Sequence, residues 1–374
     1  MPAEEKIPND VPARPQPPAE GREAASKHDA KAPSLPSDVA LVPNHKVGRH
    51  LVYDRYPEAY DVLMSRHDCA GVLALLNAEA RRVAGLREDA PPAPTLRIAD
   101  LGCGTGRLAL MLLPWARRLF AADAAAPMVA RCVERVAAAD AALRPQLYGA
   151  PASGSEEHGR SAVMARCAFE ELAALPNDVA AARGMDGGCP CAECARAAKA
   201  DDGAATDGAP SKPRVIGPVA GYSVHPGAAG WGGLDMVVCG WSLSFVMTAQ
   251  WGNTRWHDVV FRTVSAMVAA LDASKGGVVC VVETLGNFSE APVRRNSLHA
   301  YLANVLGFSQ AWCRTDYVFT SAEEARRLVT FFFGAKVAER LAGTADPARL
   351  LECTGVWVRR FGPGETVTLA PPVG

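Results

Sequence analysis

The sequence has no apolar run of about 18 or more residues, so it offers no membrane-crossing helix. Its first residues lack the apolar core of a secretion signal, and a cytoplasmic location is expected. Net charge is nearly absent. Thirty-nine Lys and Arg stand against 40 Asp and Glu, a formal charge of -1. No global field therefore draws the chain to nucleic acid or to an acidic membrane. No glycine loop ends in Gly-Lys-Ser or Gly-Lys-Thr, which excludes a triphosphate-cradling loop. The 11 cysteines are odd in number and scattered, which is not a secreted disulfide framework and reads as reduced thiols. One tight cluster, Cys189, Cys191 and Cys194, has no second knuckle beside it. It reads as free thiols on a loop, with a zinc site completed by His158, His225 or Cys167 as the alternative.

What is present is a core-forming composition, with 49% hydrophobic residues over 374 positions. The chain is organised around Leu96 to Gly106, LRIADLGCGTG. A short apolar run with β propensity ends at the acid Asp100 and turns into Gly102, Gly104 and Gly106. Leu108, Leu110, Met111, Leu112 and Leu113 then open a helical pattern. Strand, glycine turn and helix together form the context in which such glycines bind a ligand. Glycines let the backbone approach closely, and the helix start offers free N–H groups. A dinucleotide loop needs a third glycine where Arg107 stands, which argues against NAD. A carboxylate at the strand end repels a pyrophosphate and suits a cationic ligand group. A second strand, Arg118 to Asp123, also ends in an acid, placed to accept hydrogen bonds from two ribose hydroxyls. Ala124, Ala125, Ala126, Pro127 and Met128 follow and open another helix.

These residues resemble motif I and the following acid of the class I S-adenosylmethionine (SAM) dependent methyltransferases. The resemblance covers roughly residues 50 to 360 apart from an insertion. It implies an α/β fold, a doubly wound, mostly parallel seven-stranded sheet with helices on both faces, an N-terminal helical cap and a long insertion. It implies SAM as cofactor, held by Asp100, Gly102, Cys103, Gly104, Gly106, Asp123, Ala124 and Met128. Tyr60 and Cys239 belong to the same expected set. The best register puts Ala168 where the family carries the acid for the adenine amino group, so Glu170 or a backbone carbonyl is the substitute.

The rest of the chain is read around that motif. Residues 1–45 hold few large apolar groups and read as a disordered tail. Residues 46–94 show two amphipathic patterns. The resemblance implies that they cap the pocket, with Tyr53, Tyr60 and Asp61 at its entry, while the aromatics read equally as staples of the helix to the domain. Ala162 to Cys167 is the third strand. Residues 177–232, rich in Gly, Ala, Asp and Pro, lose periodicity and read as an insertion. Leu234 to Cys239 is the fourth strand. The resemblance implies that the turn after it faces the methyl group, with Trp241 walling the acceptor pocket and Ser242 bonding the acceptor, while Trp241 and Phe245 read equally as packing residues. The Asn-Pro-Pro-Tyr stretch of methyltransferases acting on planar amino nitrogens is absent there. A helix from about Arg255 to Leu271 leads through Lys275-Gly276-Gly277 to a fifth strand, Val278 to Val282, with Glu283 at its end. Glu283 reads as a base, as a group for a cationic acceptor, or as a cap on the Leu285-Gly286 turn. Residues 314–345 form an extra helical segment whose helix starts in a capping box at Ser321 to Glu324. Glu352 to Val358 is the last strand, the methyltransferase domain spans 95–362, and 363–374 is a tail.

The expected function is methyl transfer from SAM to a small-molecule acceptor, with weak catalytic candidates Trp241, Ser242 and Glu283. A protein or RNA methyltransferase is the alternative, disfavoured because basic residues occur only in pairs such as Arg326-Arg327. A non-catalytic SAM-binding protein is the other alternative. Neither a nucleic-acid nor a membrane partner is expected, and oligomeric state is not legible.

Overall fold

A computed structural model describes residues 55–148, 161–166, 222–223, 232–249, 256–293 and 297–367. The 1–45 tail, Tyr53, His158, Cys167, Ala168, Glu170, Cys189, Cys191, Cys194, His225 and most of the 177–232 insertion lie outside these residues.

The chain enters through α1 (Pro57–Ser65) and α2 (Ala70–Val83). Strand β1 (Leu96–Leu101), the glycine turn and α3 (Arg107–Leu112) follow, then β2 (Ala116–Asp123) and α4 (Ala126–Tyr148). Next come β3 (Ser161–Arg166), β4 (Tyr222–Ser223), β5 (Met236–Gly240), α5 (Leu243–Ala249), α6 (Trp256–Ala269) and β6 (Gly277–Asn287). The last third contains α7 (Ser297–Ala300), β7 (Ser309–Arg314), β8 (Tyr317–Val318), α8 (Ala322–Phe333), α9 (Ala335–Ala342), β9 (Arg349–Leu350) and β10 (Glu352–Phe361).

One sheet carries the order β4-β3-β2-β1-β5-β6-β10-β7. The six strands from β4 to β6 are mutually parallel, and β10 runs antiparallel between β6 and β7. The sheet therefore has eight strands among the described residues, not seven, because the two-residue β4 adds an outer edge to β3. Strand order reverses at β1 and β5, the point where open α/β sheets bind ligands outside their carboxyl ends.

Side chains alternate across each strand, so the apolar runs feed two cores. Ile98, Leu119, Ala121, Met236, Val238, Cys280 and Val282 pack with α2, α3 and α4 on one face. Ala99, Leu101, Phe120, Ala122, Val237, Cys239, Val279 and Val281 pack with α5 and α6 on the other. Each fully buried Val, Leu or Phe of these runs contributes about 1.5–3 kcal/mol. Helices thus cover both faces, as the alternation of elements requires.

A third core joins parts of the chain that the sequence keeps far apart. Ala59, Val62 and Leu63 of α1 pack with Tyr317, Phe319, Leu328, Val329, Phe331 and Leu341. The run Phe331-Phe332-Phe333 meets one tyrosine per ring: Tyr56 at 5.2 Å, Tyr60 at 6.3 Å and Tyr317 at 5.8 Å between centroids. The capping box is present. Ser321 Oγ accepts the Glu324 N–H at 3.1 Å, and the Glu324 carboxylate turns back to the Thr320 N–H at 2.7 Å.

Two expectations are corrected here. Strand β6 runs on to Asn287, so Leu285-Gly286 is not a turn and Glu283 lies within the strand. The segment before α8 is not wholly helical, since Tyr317–Val318 pairs with Arg349–Leu350 as a small antiparallel sheet.

Candidate functional site

The carboxyl ends of β1 and β2 meet in the glycine turn. Gly102 N–H and Cys103 N–H both donate to Ala122 O, at 2.8 and 2.9 Å. Gly102, Gly104 and Gly106 all hold positive φ. At Gly106, with φ 88°, a Cβ would come within 2.7 Å of Cys132 Sγ on α4, so the turn packs against that helix only as glycine. Asp100 Oδ2 accepts the Ala109 N–H of α3 at 2.9 Å, while Oδ1 has no partner among the described residues. Burial pushes this carboxyl up to about 7, against the pull of the Ala109 hydrogen bond. Asp100 is thus a buried acid with one oxygen unsatisfied beside the turn.

Asp123 lies at the end of β2. Its Oδ2 accepts the Gly104 N–H at 2.8 Å and its Oδ1 accepts the Ala125 N–H at 2.9 Å. Both carboxylate oxygens therefore face the glycine turn and the start of α4. The two acids expected from the sequence therefore share one turn. Cys103 is buried and hydrogen-bonded to Cys132, which with burial raises its thiol well above the usual range. Met128 is 1% exposed, and Cys239 is fully buried in the core packed against α5 and α6. Ala124 is exposed.

Helix α1 is clamped over this turn. Asp61 accepts from Arg131 and Arg135 of α4, both at 2.8 Å, and Arg135 also reaches Thr105 O at 3.1 Å. Tyr60, next to Asp61, stands against Gly104, with its ring 3.7 Å from where a Cβ there would be.

After β5, Trp241 adopts φ 51°, a left-handed conformation rare outside glycine. Its N–H donates to Val282 O at 2.6 Å, which holds the backbone in place. Ser242 Oγ lies 2.8 Å from Gly240 O and 3.1 Å from Gly102 O, so its proton joins the β5 turn to the glycine turn. Glu283 Oε1 accepts the Ser244 N–H at 2.9 Å, which caps α5. Burial pushes Glu283 up to about 7. The capping role holds, but on a helix rather than on the expected turn.

The structure adds a polar cluster that the sequence reading missed. Arg107 Nη1 donates to His67 Nδ1 and, at 3.1 Å, to Cys69 Sγ. The guanidinium lies 4.7 Å over the Trp241 ring. His67 stacks on Tyr317 with centroids 4.1 Å apart and planes 6° apart. His67 Nε2 lies 3.1 Å from Glu352 Oε1, without hydrogen-bond alignment. Burial would raise the Cys69 thiol, but the His67 hydrogen bond and the Arg107 charge hold it below its ordinary value. Burial and the Arg107 charge lower His67, and burial pushes Glu352 up to about 8. One sequence signal existed. A cation in the first turn of a helix opposes the macrodipole, so Arg107 needed a reason to be there.

A surface depression of about 370 Å³ lies apart from these groups, lined by Ala322, Glu323, Arg326 and Leu341. Among the described residues no cluster of three His, Cys, Asp or Glu side chains is placed to hold a metal. No helix among them is long and apolar enough to cross a membrane.

No protein-family model matches the chain, and no curated protein matches it. Solved structures that resemble it include methyltransferases, at low identity. A putative methyltransferase from Bacillus halodurans C-125 shares 10% identity over 76% of this chain and 98% of its own, with a TM-score of 0.33. Magnesium protoporphyrin IX methyltransferase from Synechocystis PCC 6803, with bound SAM, shares 10% over 85% and 98%, with a TM-score of 0.33. A SAM-dependent methyltransferase from Clostridium acetobutylicum ATCC 824 shares 14% over 71% and 67%, with a TM-score of 0.31. At such values the fold rests on the strand order, pairing and glycine turn described above.

Proposed function

We propose that this protein is a SAM-dependent methyltransferase acting on a small molecule. The observation that carries the reading is the shared turn of Asp100, Gly102 to Gly106 and Asp123, at the point where the strand order reverses. In this reading Asp123 accepts the ribose hydroxyls, and the glycine turn lies along the donor. Asp100 holds the turn onto α3 and supplies negative character beside a cationic ligand. Tyr60 and Trp241 wall the pocket, and α1 caps it.

Methyl transfer from a sulfonium is an in-line displacement. The acceptor lone pair attacks the methyl carbon, the carbon–sulfur bond breaks, and the donor leaves as neutral S-adenosylhomocysteine. The protein's task is to align the two reactants and exclude water. Coverage of the strand ends by α1 and by residues 314–345 supports a small acceptor over a macromolecular one. None of Trp241, Ser242 and Glu283 has the free, aligned group that a general base needs. The reading therefore assigns catalysis to positioning.

A ligand that binds only the folded state raises its melting temperature. SAM and S-adenosylhomocysteine should do so in a thermal-shift scan and NAD should not. Equal shifts with NAD, or a shift with NAD alone, would sink the proposal.

A further inference from the structure

Arg107 is held on three sides. Both protons of its Nη1 are placed, one on His67 Nδ1 and one on Cys69 Sγ. Its flat face lies on Trp241. The remaining edge, Nε with Nη2, makes no hydrogen bond or ion pair with any described residue. A guanidinium fixed in this way presents a rigid two-pronged fork, which matches a carboxylate and not a point charge. No carboxylate among the described residues fills it. Glu352, which shares the cluster, lies against His67 instead. Arg107 is half-buried and this edge is not sealed among buried unpartnered atoms, so an anion entering beside Trp241 can reach it.

The groups that orient Arg107 indicate which reactant brings the anion. His67 and Cys69 come from the α1–α2 connection, Trp241 from the turn after β5, and Tyr317 stacks behind His67. None belongs to the β2 half, where Asp123 lies. The side chain leaves the glycine turn and enters an aromatic layer made by Trp241, His67 and Tyr317. We propose that Arg107 is a carboxylate receptor and that the methyl acceptor is a small, partly aromatic or unsaturated acid gripped by its Nε–Nη2 edge. This rests on the methyl-transfer reading, and the fork itself can be tested without it.

The test is a calorimetric and thermal-shift comparison in the presence of S-adenosylhomocysteine. Benzoate, 4-hydroxybenzoate and 3-phenylpropionate are each compared with the matching amide. At least one acid should stabilise the wild type more than its amide does. Arg107→Met should weaken that acid at least tenfold, and Arg107→Lys, which keeps charge but loses the fork, should also weaken it. If Arg107→Met does not fold, the lysine variant alone decides. No preference for any acid over its amide, or acid binding unchanged in the variants, overturns the proposal. A separate arm titrates SAM and its decarboxylated analogue. If the variants weaken SAM but not the analogue, the fork serves the donor's own carboxylate and the acceptor proposal falls. If the wild type binds neither SAM nor S-adenosylhomocysteine while an acid still depends on Arg107, the methyl-transfer reading fails and the receptor stands.

Discussion

Asp123 and Gly104 are joined by a 2.8 Å hydrogen bond from the glycine N–H to the carboxylate. This bond couples the end of the second strand to the turn after the first. Asp123→Ala should therefore act twice. It removes the group proposed for the ribose, and it frees two backbone donors that Asp123 now satisfies. Hydrogen bonds to a charged group are worth about 1.5–3 kcal/mol, so SAM affinity should fall by that amount. Asp123→Asn should restore part of the fold stability and little of the affinity. Calorimetry paired with circular dichroism checks this, and unchanged affinity in a folded Ala variant would leave Asp123 as a turn-forming residue only.

Buried carboxyls set the pH response. Burial places Asp100 at about 7, Glu283 at about 7 and Glu352 at about 8. An unfolded carboxyl titrates near about 4. Each group binds its proton more tightly when folded, so between about pH 4 and its folded pKa stability falls as pH rises. The ligand-free protein should melt lower at pH 8 than at pH 5. Asp100→Asn removes one such group and should stabilise the ligand-free protein at pH 8 by about 1–3 kcal/mol, with little effect at pH 4. The same variant should bind SAM less well. A wild-type melting temperature that rises from pH 5 to pH 8 would contradict this account.

Gly106 tests the packing of the turn. Its φ of 88° and the 2.7 Å approach to Cys132 Sγ both oppose a side chain. Gly106→Ala should destabilise by about 1–3 kcal/mol from backbone strain, with further loss from the clash. Adding Cys132→Ala should recover the clash and not the strain. Denaturant titration of the single and double variants separates the two. Full recovery in the double variant would show that conformation is not limiting.

Arg66 and Glu324 tie the end of α1 to the start of α8, with a closest approach of 2.8 Å. Burial works against the Glu324 carboxylate, yet the Arg66 and Thr320 hydrogen bonds hold it down to about 2. A depressed carboxyl stabilises above its unfolded pKa, and that contribution is lost as pH falls from about 4.5 toward 2. Glu324→Gln should cost about 1–2 kcal/mol at pH 7 and almost nothing at pH 2. It should also raise proteolytic cleavage around α1. An equal cost at both pH values would assign Glu324 to helix capping alone.

Local chemistry was enough to read the strand–glycine–helix unit, the second acid and the capping box at Ser321. Each depends on neighbours within a few residues, where propensity, φ requirements and helix capping act. The alternation of apolar strands and helices was legible for the same reason, since a two-sided sheet needs strands apolar on both faces. The extra edge strand β4 was not, because a two-residue strand has no period to read. Glu283 shows the limit at a single residue. The run Val278 to Val282 marks a strand, but its end was decided by pairing with β10, which holds the backbone extended to Asn287. The third core and the Arg107 cluster lay furthest from the sequence. Arg107, the His67–Cys69 connection, Trp241 and Tyr317 belong to separate segments, and only their packing in the folded chain brings them together. A sequence fixes which residues carry charge and aromatic rings. Which edge of the Arg107 guanidinium is taken by His67, Cys69 and Trp241 and which is left open is decided only when the packed chain brings these segments together.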